Sequence, residues 1–205
     1  MCPPAAAGNE RNQLDPVALS VARYSEHAAD YAHQHAGKMR DRVECFTAAL
    51  PDAATILDAG CGPGRDLARF TAAGHLAQGI DLNPEFASMA NACAPTLLGD
   101  LREVGSLFAA ETFDGIWACA CLVHLPTADT RDVLGQFATL LRPAGKLYAC
   151  VKAVGETGWL DEPDARRWYT VWTPERFTEA VRQAGFNVDG TTTDVFVEVW
   201  ASRSG

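Results

Sequence analysis

The sequence Thr55-Ile56-Leu57-Asp58-Ala59-Gly60-Cys61-Gly62-Pro63-Gly64-Arg65-Asp66 decides the fold. Its apolar first residues end at the carboxylate of Asp58, glycines follow at three alternate positions, and a helical pattern begins at Asp66. Glycine is needed where the backbone takes a positive φ or where a ligand lies against the main chain. The sequence therefore predicts a strand, a tight ligand-binding turn and a helix.

The spacing of these glycines excludes two phosphate-binding loops. The dinucleotide pattern G-x-G-x-x-G would need a further glycine at a position held by Arg65 or Leu67. The loop G-x-x-x-x-G-K-[ST] needs a Gly-Lys pair five residues after a glycine, and neither Gly-Lys pair of the chain has one. Asp58 would also repel a pyrophosphate, whereas it suits an ammonium or sulfonium group. The turn therefore favours a positively charged nucleoside as ligand.

Further motifs follow the turn in order along the chain. They are Gly79-Ile80-Asp81-Leu82-Asn83-Pro84, Gly99-Asp100-Leu101, Phe113-Asp114-Gly115-Ile116-Trp117 and Leu141-Arg142-Pro143-Ala144-Gly145-Lys146-Leu147. With the glycine turn, they resemble the ordered motifs of class I S-adenosylmethionine-dependent methyltransferases, over roughly residues 20 to 200. The resemblance implies an α/β, Rossmann-like fold: a seven-stranded, mostly parallel sheet with helices on both faces and an antiparallel C-terminal hairpin. It also implies S-adenosyl-L-methionine as the cofactor and S-adenosyl-L-homocysteine as its product.

An acidic residue ends the second predicted strand, which spans His75 to Asp81. Asp81 lies seventeen residues after Gly64, where a carboxylate can accept both hydroxyls of a ribose. By resemblance, the Asp100 carboxylate and the Leu101 amide would contact the adenine edge; alternatively, Asp100 is an ordinary helix N-cap. The predicted cofactor-binding residues are Asp58, Gly60, Cys61, Gly62, Gly64, Asp81, Leu82, Asp100, Leu101 and Cys119.

The N-terminal part of the chain lies outside the alternating strands and helices. Residues 1–13 are expected to be disordered, and residues 15–50 are predicted to form two helical segments broken near Gly37. Tyr24 and Tyr31 are seven residues apart, which would place them on one helical face. This helix either packs on the domain or, as in the small methyltransferases that the chain resembles, acts as a lid over the cofactor.

The apolar run Phe113 to Cys121 predicts a central parallel strand that is buried on both faces. Its carboxyl end delivers Cys119, Cys121 and, just beyond, His124 to the edge of the sheet where ligands bind. His124 is a candidate general base because imidazole titrates near neutral pH, although a hydrogen bond to the loop backbone would equally explain it. The two tyrosines of the N-terminal segment are the other catalytic candidates, and the two cysteines are expected to be packing residues.

Residues 152–173 form an aromatic and charged insertion after the fifth strand. Such side chains could enclose a planar or anionic acceptor. The predicted substrate-binding residues are therefore Lys152, Trp159, Arg167, Trp168 and Tyr169. Alternatively, the two tryptophans only close the edge of the core. Elsewhere, periodicity and capping signals predict helices at 85–93, 129–141 and 173–185, strands at 96–98 and 146–151, and a terminal hairpin of strands 187–191 and 194–200.

Composition restricts the class of partner. The 205 residues fit a single domain, 1–205, and the net charge of −9 without a basic run argues against DNA or RNA as substrate. The most apolar stretch, 115–123, is too short to cross a membrane, and no secretory signal is visible. The seven cysteines form no C-x-x-C pair and no metal-ligand pattern. We therefore expect thiols in a reducing cytoplasm and no metal.

The combined prediction is methyl transfer from S-adenosylmethionine to a small-molecule acceptor by in-line displacement. Two alternatives use the same cofactor site: intramolecular cyclisation of the aminobutyryl arm, and a binding module without catalysis. The residues leave open which acceptor is used, whether oxygen, nitrogen, sulfur or carbon is methylated, and what the oligomeric state is.

Overall fold

The computed structural model of the protein describes residues 15–163 and 165–205. Its strands, in chain order, are β1 (Thr55–Ala59), β2 (Leu76–Asp81), β3 (Thr96–Leu98), β4 (Phe113–Cys119), β5 (Leu141–Lys152), β6 (Gly158–Asp161), β7 (Arg166–Tyr169), β8 (Phe186–Thr193) and β9 (Phe196–Arg203). A seven-stranded sheet has the order β3-β2-β1-β4-β5-β9-β8, and β6 and β7 form a separate hairpin. Strands β1 to β5 are parallel, and β9 is antiparallel to both of its neighbours. This topology confirms the predicted Rossmann-like α/β fold.

The described residues form eight α-helices. They are α1 (Pro16–Ala22), α2 (Ala28–His35), α3 (Arg40–Ala48), α4 (Arg65–Ala72), α5 (Pro84–Ala90), α6 (Val104–Leu107), α7 (Thr127–Leu140) and α8 (Pro174–Gln183). Asp15, Asn83 and Thr173 each accept a backbone N–H of the first turn and are followed by proline, so α1, α5 and α8 begin in the same way.

The strand order reverses direction at β1, and the candidate ligand site lies at this reversal. β1 pairs with β2 on one side and with β4 on the other. In open α/β sheets the carboxyl ends of the strands at such a reversal leave a crevice for ligands. β4 is buried on both faces, since Ile116, Trp117 and Ala118 are fully buried, which fixes this edge rigidly.

The N-terminal segment differs from its prediction. In the described residues it contains three α-helices, α1 to α3, with breaks at 23–27 and 36–39, whereas two helical segments were predicted. Tyr24 therefore lies in the first break and Tyr31 in α2, so the prediction that one helix carries both is wrong. Their rings nevertheless meet, with centroids 5.2 Å apart. The predicted disorder of residues 1–13 lies outside the described residues.

The insertion after β5 contains the β6–β7 hairpin, which no sequence pattern predicted. Ser20 of α1 accepts the backbone N–H of Trp168 at 2.8 Å, and Thr170 N–H donates to the Val123 carbonyl at 2.8 Å. The hairpin is thus joined both to the N-terminal segment and to the loop after β4. Over 15–163 and 165–205, no helix is long and apolar enough to cross a membrane.

Candidate active site

The glycine turn between β1 and α4 uses left-handed backbone, with φ of +64° at Gly60, +55° at Gly62 and +89° at Gly64. The Gly60 N–H donates to the Ile80 carbonyl at 2.8 Å, which fastens the turn to β2. A Cβ at Gly62 would meet no atom of the described residues within 4 Å, whereas one at Gly64 would lie 2.8 Å from the Ala90 Cα. Gly62 therefore leaves room for a ligand, and Gly64 allows α4 and α5 to pack closely.

Asp81, at the end of β2, is buried beneath this turn. Its carboxylate accepts the Gly62 N–H at 2.8 Å on one oxygen and the Asn83 N–H at 2.8 Å on the other. Burial raises the pKa of Asp81, and these backbone N–H groups oppose the shift. A carboxylate has about four acceptor positions, so lone pairs are left for a diol such as that of a ribose.

Asp100 has the capping role that its sequence context allowed. It caps a short helical turn by accepting the Arg102 backbone N–H at 2.9 Å, and its carboxylate lies 2.6 Å from the Arg102 guanidinium. Arg102 also pairs with Asp15 at 2.7 Å, which ties the N-cap of α1 to this position. Asp100 still lines the cavity described below, beside Leu82 and Leu101.

Asp58 ends β1 with its carboxylate buried and one oxygen, Oδ2, without a hydrogen-bond partner among the described residues. Burial, and then the charge of Asp66, raises the pKa of Asp58 well above its usual range. Asp66 is itself satisfied, by Arg65 at 2.6 Å and by the Trp117 indole at 3.0 Å. A buried, unsatisfied carboxylate oxygen is costly on its own and suits a cationic ligand such as an ammonium group.

A cavity and a side cleft adjoin at the glycine turn. The cofactor cavity is lined by Val17, Val21, Tyr24, Tyr31, Gly60, Gly62, Asp81, Leu82, Asn83, Phe86, Asp100, Leu101, Cys119, Ala120, Cys121, His124 and Leu125. The side cleft is lined by Tyr31, Ala32, His35, Asp58, Gly60, Cys61, Gly62, Pro63, Arg65, Asp66 and Cys119. Every predicted cofactor-binding residue except Gly64 lines one of these two spaces. The donors and acceptors therefore fit a ribose at Asp81 and a cationic amino-acid group at Asp58.

A second cavity, here the acceptor cavity, opens on the other side of Tyr24. Its lining is mostly polar and aromatic: Tyr24, His27, Asp30, Tyr31, Gln34, His35, Ala120, Val123, Lys152, Glu162, Pro163, Arg167, Tyr169 and Phe196. The predicted substrate-binding residues Lys152, Arg167 and Tyr169 are among them. Tyr24, Tyr31 and Ala120 line both cavities, so the two spaces meet there.

The structure does not place Trp159 and Trp168 in the lining of the acceptor cavity. Alternate residues of a strand face opposite sides, so Arg167 and Tyr169 share the face of β7 that lines the cavity while Trp168 projects from the other. Trp159 pairs with Trp168 across the hairpin, and their rings form an edge contact with centroids 6.1 Å apart. Neither tryptophan packs against the hydrophobic core of the described residues, and Trp159 is exposed.

Tyr24 and His124 form a hydrogen-bonded pair where the two cavities meet. The Tyr24 hydroxyl lies 2.9 Å from Nε2 of His124, and Nδ1 of His124 lies 2.6 Å from the Trp168 carbonyl oxygen. A carbonyl only accepts, so the hydrogen-bond network assigns the ring proton to Nδ1 and makes Nε2 the acceptor of the Tyr24 O–H. Burial lowers the pKa of His124 to about 4 and raises that of Tyr24 well above 10. Both groups are therefore neutral at pH 7.

Comparison with known proteins identifies the family. A family model described as a methyltransferase domain matches residues 31–190, which is most of the chain. The chain belongs to this methyltransferase-domain family. With the seven-stranded sheet and the site above, it is a class I S-adenosylmethionine-dependent methyltransferase with S-adenosylmethionine as its cofactor. No curated protein gives a significant sequence match.

Solved structures of low sequence identity share the fold. The 1,6-didemethyltoxoflavin-N1-methyltransferase of Burkholderia thailandensis, with 1,6-didemethyltoxoflavin and S-adenosylhomocysteine bound, is 24% identical over 98% of this chain and 93% of its own, with a TM-score of 0.73. A putative methyltransferase in complex with the Haloferax volcanii Trm112 activator is 18% identical over 94% of this chain and 99% of its own, with a TM-score of 0.72. The [4+2]-cyclase SpnF is 17% identical over 80% of this chain and 79% of its own, with a TM-score of 0.67.

The cysteines of the methyltransferase site are poor nucleophiles. Burial raises the pKa of the Cys121 thiol well above its usual range, and a hydrogen bond with Cys150, together with burial, does the same for Cys119. A thiol held neutral in this way is inert. The described ranges 15–163 and 165–205 hold no group of three or more His, Cys, Asp or Glu side chains suited to a metal ion.

Sequence reasoning missed the residues that seat the N-terminal segment on the methyltransferase sheet. Asn83 caps α5, and its amide also donates to the Val21 carbonyl at 2.9 Å. Arg69 of α4 donates to the Ala36 carbonyl at 2.7 Å, and Arg65 to the His35 carbonyl at 3.4 Å. Each bond joins residues that are distant in sequence, so no local pattern could have indicated it.

Proposed function

We propose that this methyltransferase transfers the methyl group of S-adenosylmethionine to a small, polar acceptor held in the acceptor cavity. The observation that carries the proposal is the shared lining of Tyr24, Tyr31 and Ala120, because two ligands that fill the two cavities would meet between them. The Burkholderia thailandensis neighbour, which holds a small heterocyclic molecule beside S-adenosylhomocysteine, supports an acceptor of this size. The net charge of −9 supports a small molecule over a nucleic acid.

S-adenosylmethionine supplies an electrophilic methyl group on a sulfonium whose departure needs no acid. The protein's part is to hold the acceptor atom in line and to exclude water. Tyr31 supplies one wall, stacked on His35 with ring centroids 4.1 Å apart. The Arg167 guanidinium lies 4.1 Å from the centre of the Tyr24 ring and fixes that ring from the side of the hairpin.

In this proposal Tyr24 contacts the acceptor and His124 takes the proton. An N–H or O–H of the acceptor donates to the Tyr24 oxygen. As the acceptor bonds to the methyl carbon and the carbon–sulfur bond breaks with the thioether as leaving group, that proton would move to Tyr24 and the Tyr24 proton to Nε2 of His124. Nδ1 keeps its proton and donates it in a hydrogen bond to the Trp168 carbonyl oxygen throughout, so the imidazole ring does not rotate. His124 thus acts through Tyr24, because both of its nitrogens are bonded within the protein.

We further propose that the enzyme works in the reducing cytoplasm. Within the described residues the cysteines are free thiols, namely Cys45, Cys61, Cys93, Cys119, Cys121 and Cys150. Several of them line or adjoin the cofactor cavity, where oxidation would disturb binding. A compartment that keeps thiols reduced suits this arrangement.

Untargeted metabolite profiling with methyl-labelled S-adenosylmethionine tests the function. A cell extract is incubated with the native protein and, as a control, with Asp81→Ala. We expect one or a few labelled small molecules in the native sample and S-adenosylhomocysteine in equal amount. Methylthioadenosine in its place would mean cyclisation of the aminobutyryl arm, and tight cofactor binding without any product would mean a binding module. Label found in nucleic acid would refute the small acceptor.

A further inference from the structure

Asn83 connects the cofactor cavity to the segment that carries Tyr24. It is fully buried at the start of α5. Its backbone N–H donates to Asp81 at 2.8 Å, and its side-chain oxygen accepts the Phe86 N–H at 3.1 Å. Its side-chain NH₂ donates to the Val21 carbonyl at 2.9 Å and to Ser25 Oγ at 3.0 Å. Asn83 thereby bonds the end of β2 through its backbone, and its side chain bonds the first turn of α5, the end of α1 and the break that follows α1.

Capping α5 does not require the amide NH₂. A helix N-cap needs only a side-chain oxygen, which serine or aspartate supplies equally well. The two N–H groups of Asn83 instead hold the turn around Tyr24. The Val21 carbonyl that Asn83 contacts also accepts the Tyr24 backbone N–H at 3.1 Å, and Ser25 in turn donates to Glu85 at 2.5 Å. The residues on both sides of Tyr24 are therefore fixed to α5.

We propose that Asn83 is a positioning residue that couples cofactor binding at Asp81 to the placement of Tyr24. The inference rests on the proposed function of Tyr24. A ribose bound to Asp81 holds the carboxylate that orients the Asn83 backbone, and the Asn83 amide then holds the turn whose tyrosine reaches His124. Coupling of this kind is reciprocal, so the closed turn strengthens cofactor binding by the same factor by which the cofactor stabilises the closed turn.

The test replaces the amide and keeps the cap. Asn83→Ser retains the capping oxygen and the backbone N–H but loses both side-chain donors. The matched control is Asn91→Ser at the other end of α5, where an exposed asparagine accepts the Thr96 N–H at 3.1 Å. S-adenosylhomocysteine affinity is measured by calorimetry. Opening of the segment is measured by trypsin cleavage after the exposed Arg23, with and without S-adenosylhomocysteine.

We expect S-adenosylhomocysteine to slow this cleavage about tenfold or more in the native protein and in Asn91→Ser, but less than about threefold in Asn83→Ser. The S-adenosylhomocysteine affinity of Asn83→Ser should fall by a factor no larger than the factor by which its protection from cleavage falls. Its turnover should fall at least about tenfold. The proposal would be overturned if S-adenosylhomocysteine protected native protein and Asn83→Ser equally from cleavage. It would also be overturned if Asn91→Ser lost as much protection as Asn83→Ser.

If Asn83→Ser does not fold, Ser25→Ala removes one of the two acceptors and leaves the cap intact. Its protection should lie between the native and unprotected values, and full native protection would again overturn the proposal. Cleavage and affinity need no acceptor. An unchanged turnover in Tyr24→Phe would therefore refute the proposed role of Tyr24 in proton transfer while leaving the coupling measurement valid.

Discussion

Removing the Tyr24 hydroxyl should slow methyl transfer without loosening the cofactor. Tyr24→Phe deletes the oxygen that lies 2.9 Å from Nε2 of His124 and leaves the ring contacts in place. General acid–base assistance is worth about 10²–10⁴ in rate, which corresponds to about 3–5 kcal/mol of the barrier. The lost hydrogen bond should cost only about 1 kcal/mol of folding stability. The rate effect therefore exceeds anything that destabilisation explains.

The pair is tested by a double-mutant cycle with His124→Gln. If Tyr24 and His124 act as one unit, either single change removes most of the assistance, and the double variant should be about as slow as the slower single variant. Tyr148→Phe is the matched control, because that tyrosine lies in the core, stacked on Trp117 with ring centroids 4.1 Å apart. Its single-turnover rate should stay within about threefold of native.

The measurement is the single-turnover rate at saturating cofactor and acceptor, with S-adenosylhomocysteine affinity determined separately by calorimetry. A rate loss below tenfold in both single variants would show that the pair only shapes the cavity. Losses that multiply in the double variant would show that the two residues act independently. A loss confined to cofactor affinity would place Tyr24 in binding and remove it from proton transfer.

Three further changes have signs fixed by the site. Asp81→Ala should weaken S-adenosylhomocysteine binding by about 1.5–3 kcal/mol in calorimetry, and unchanged affinity would refute the ribose assignment. His124 is buried and neutral, and its pKa is lowered from 6.5 to about 4. The stability that the neutral imidazole contributes is therefore lost as pH falls between those values. Urea unfolding should show about 2 kcal/mol less stability at pH 5 than at pH 7, and His124→Gln should show much less pH dependence. Burial raises the pKa of Asp58, so the folded protein loses stability as pH rises above the ordinary carboxyl pKa, and Asp58→Asn should melt higher at pH 7 while binding cofactor more weakly. A lower melting temperature in Asp58→Asn would show that its carboxylate has a partner in the free protein.

The cofactor side of the site could be predicted because its chemistry is local. The glycine turn needs positive φ at fixed spacing, and Asp81 follows from the rule that an acid at the end of the second strand accepts a ribose. Both signals lie in short, contiguous stretches. Gly64 is the exception, since its close approach to Ala90 depends on how α4 and α5 pack, and spacing alone gives it the same appearance as Gly62.

The acceptor side could be predicted only as separate residues. Tyr24 and His124 were each candidates, but they are 100 residues apart and only the closed fold joins them. The β6–β7 hairpin lacks a glycine in its turn and is positioned by backbone bonds to Ser20 and Val123. Alternate residues of a strand face opposite sides, which turns Trp168 away from the cavity. This rule could not be applied from the sequence, because no pattern indicated that Arg167 lies in a strand.

Two features of this chain that violate the usual rules of folding lie at the candidate site. Asp58 has a buried carboxylate oxygen without a partner among the described residues, and His124 is a neutral imidazole enclosed by protein. Each lowers the stability of the free protein under some condition of pH, and natural sequences tolerate such conflicts mainly at functional sites. A cation bound beside Asp58 removes its penalty. We expect the free energy thus released to favour closure of the segment around Tyr24, so that the protein is most ordered when the methyl donor is bound.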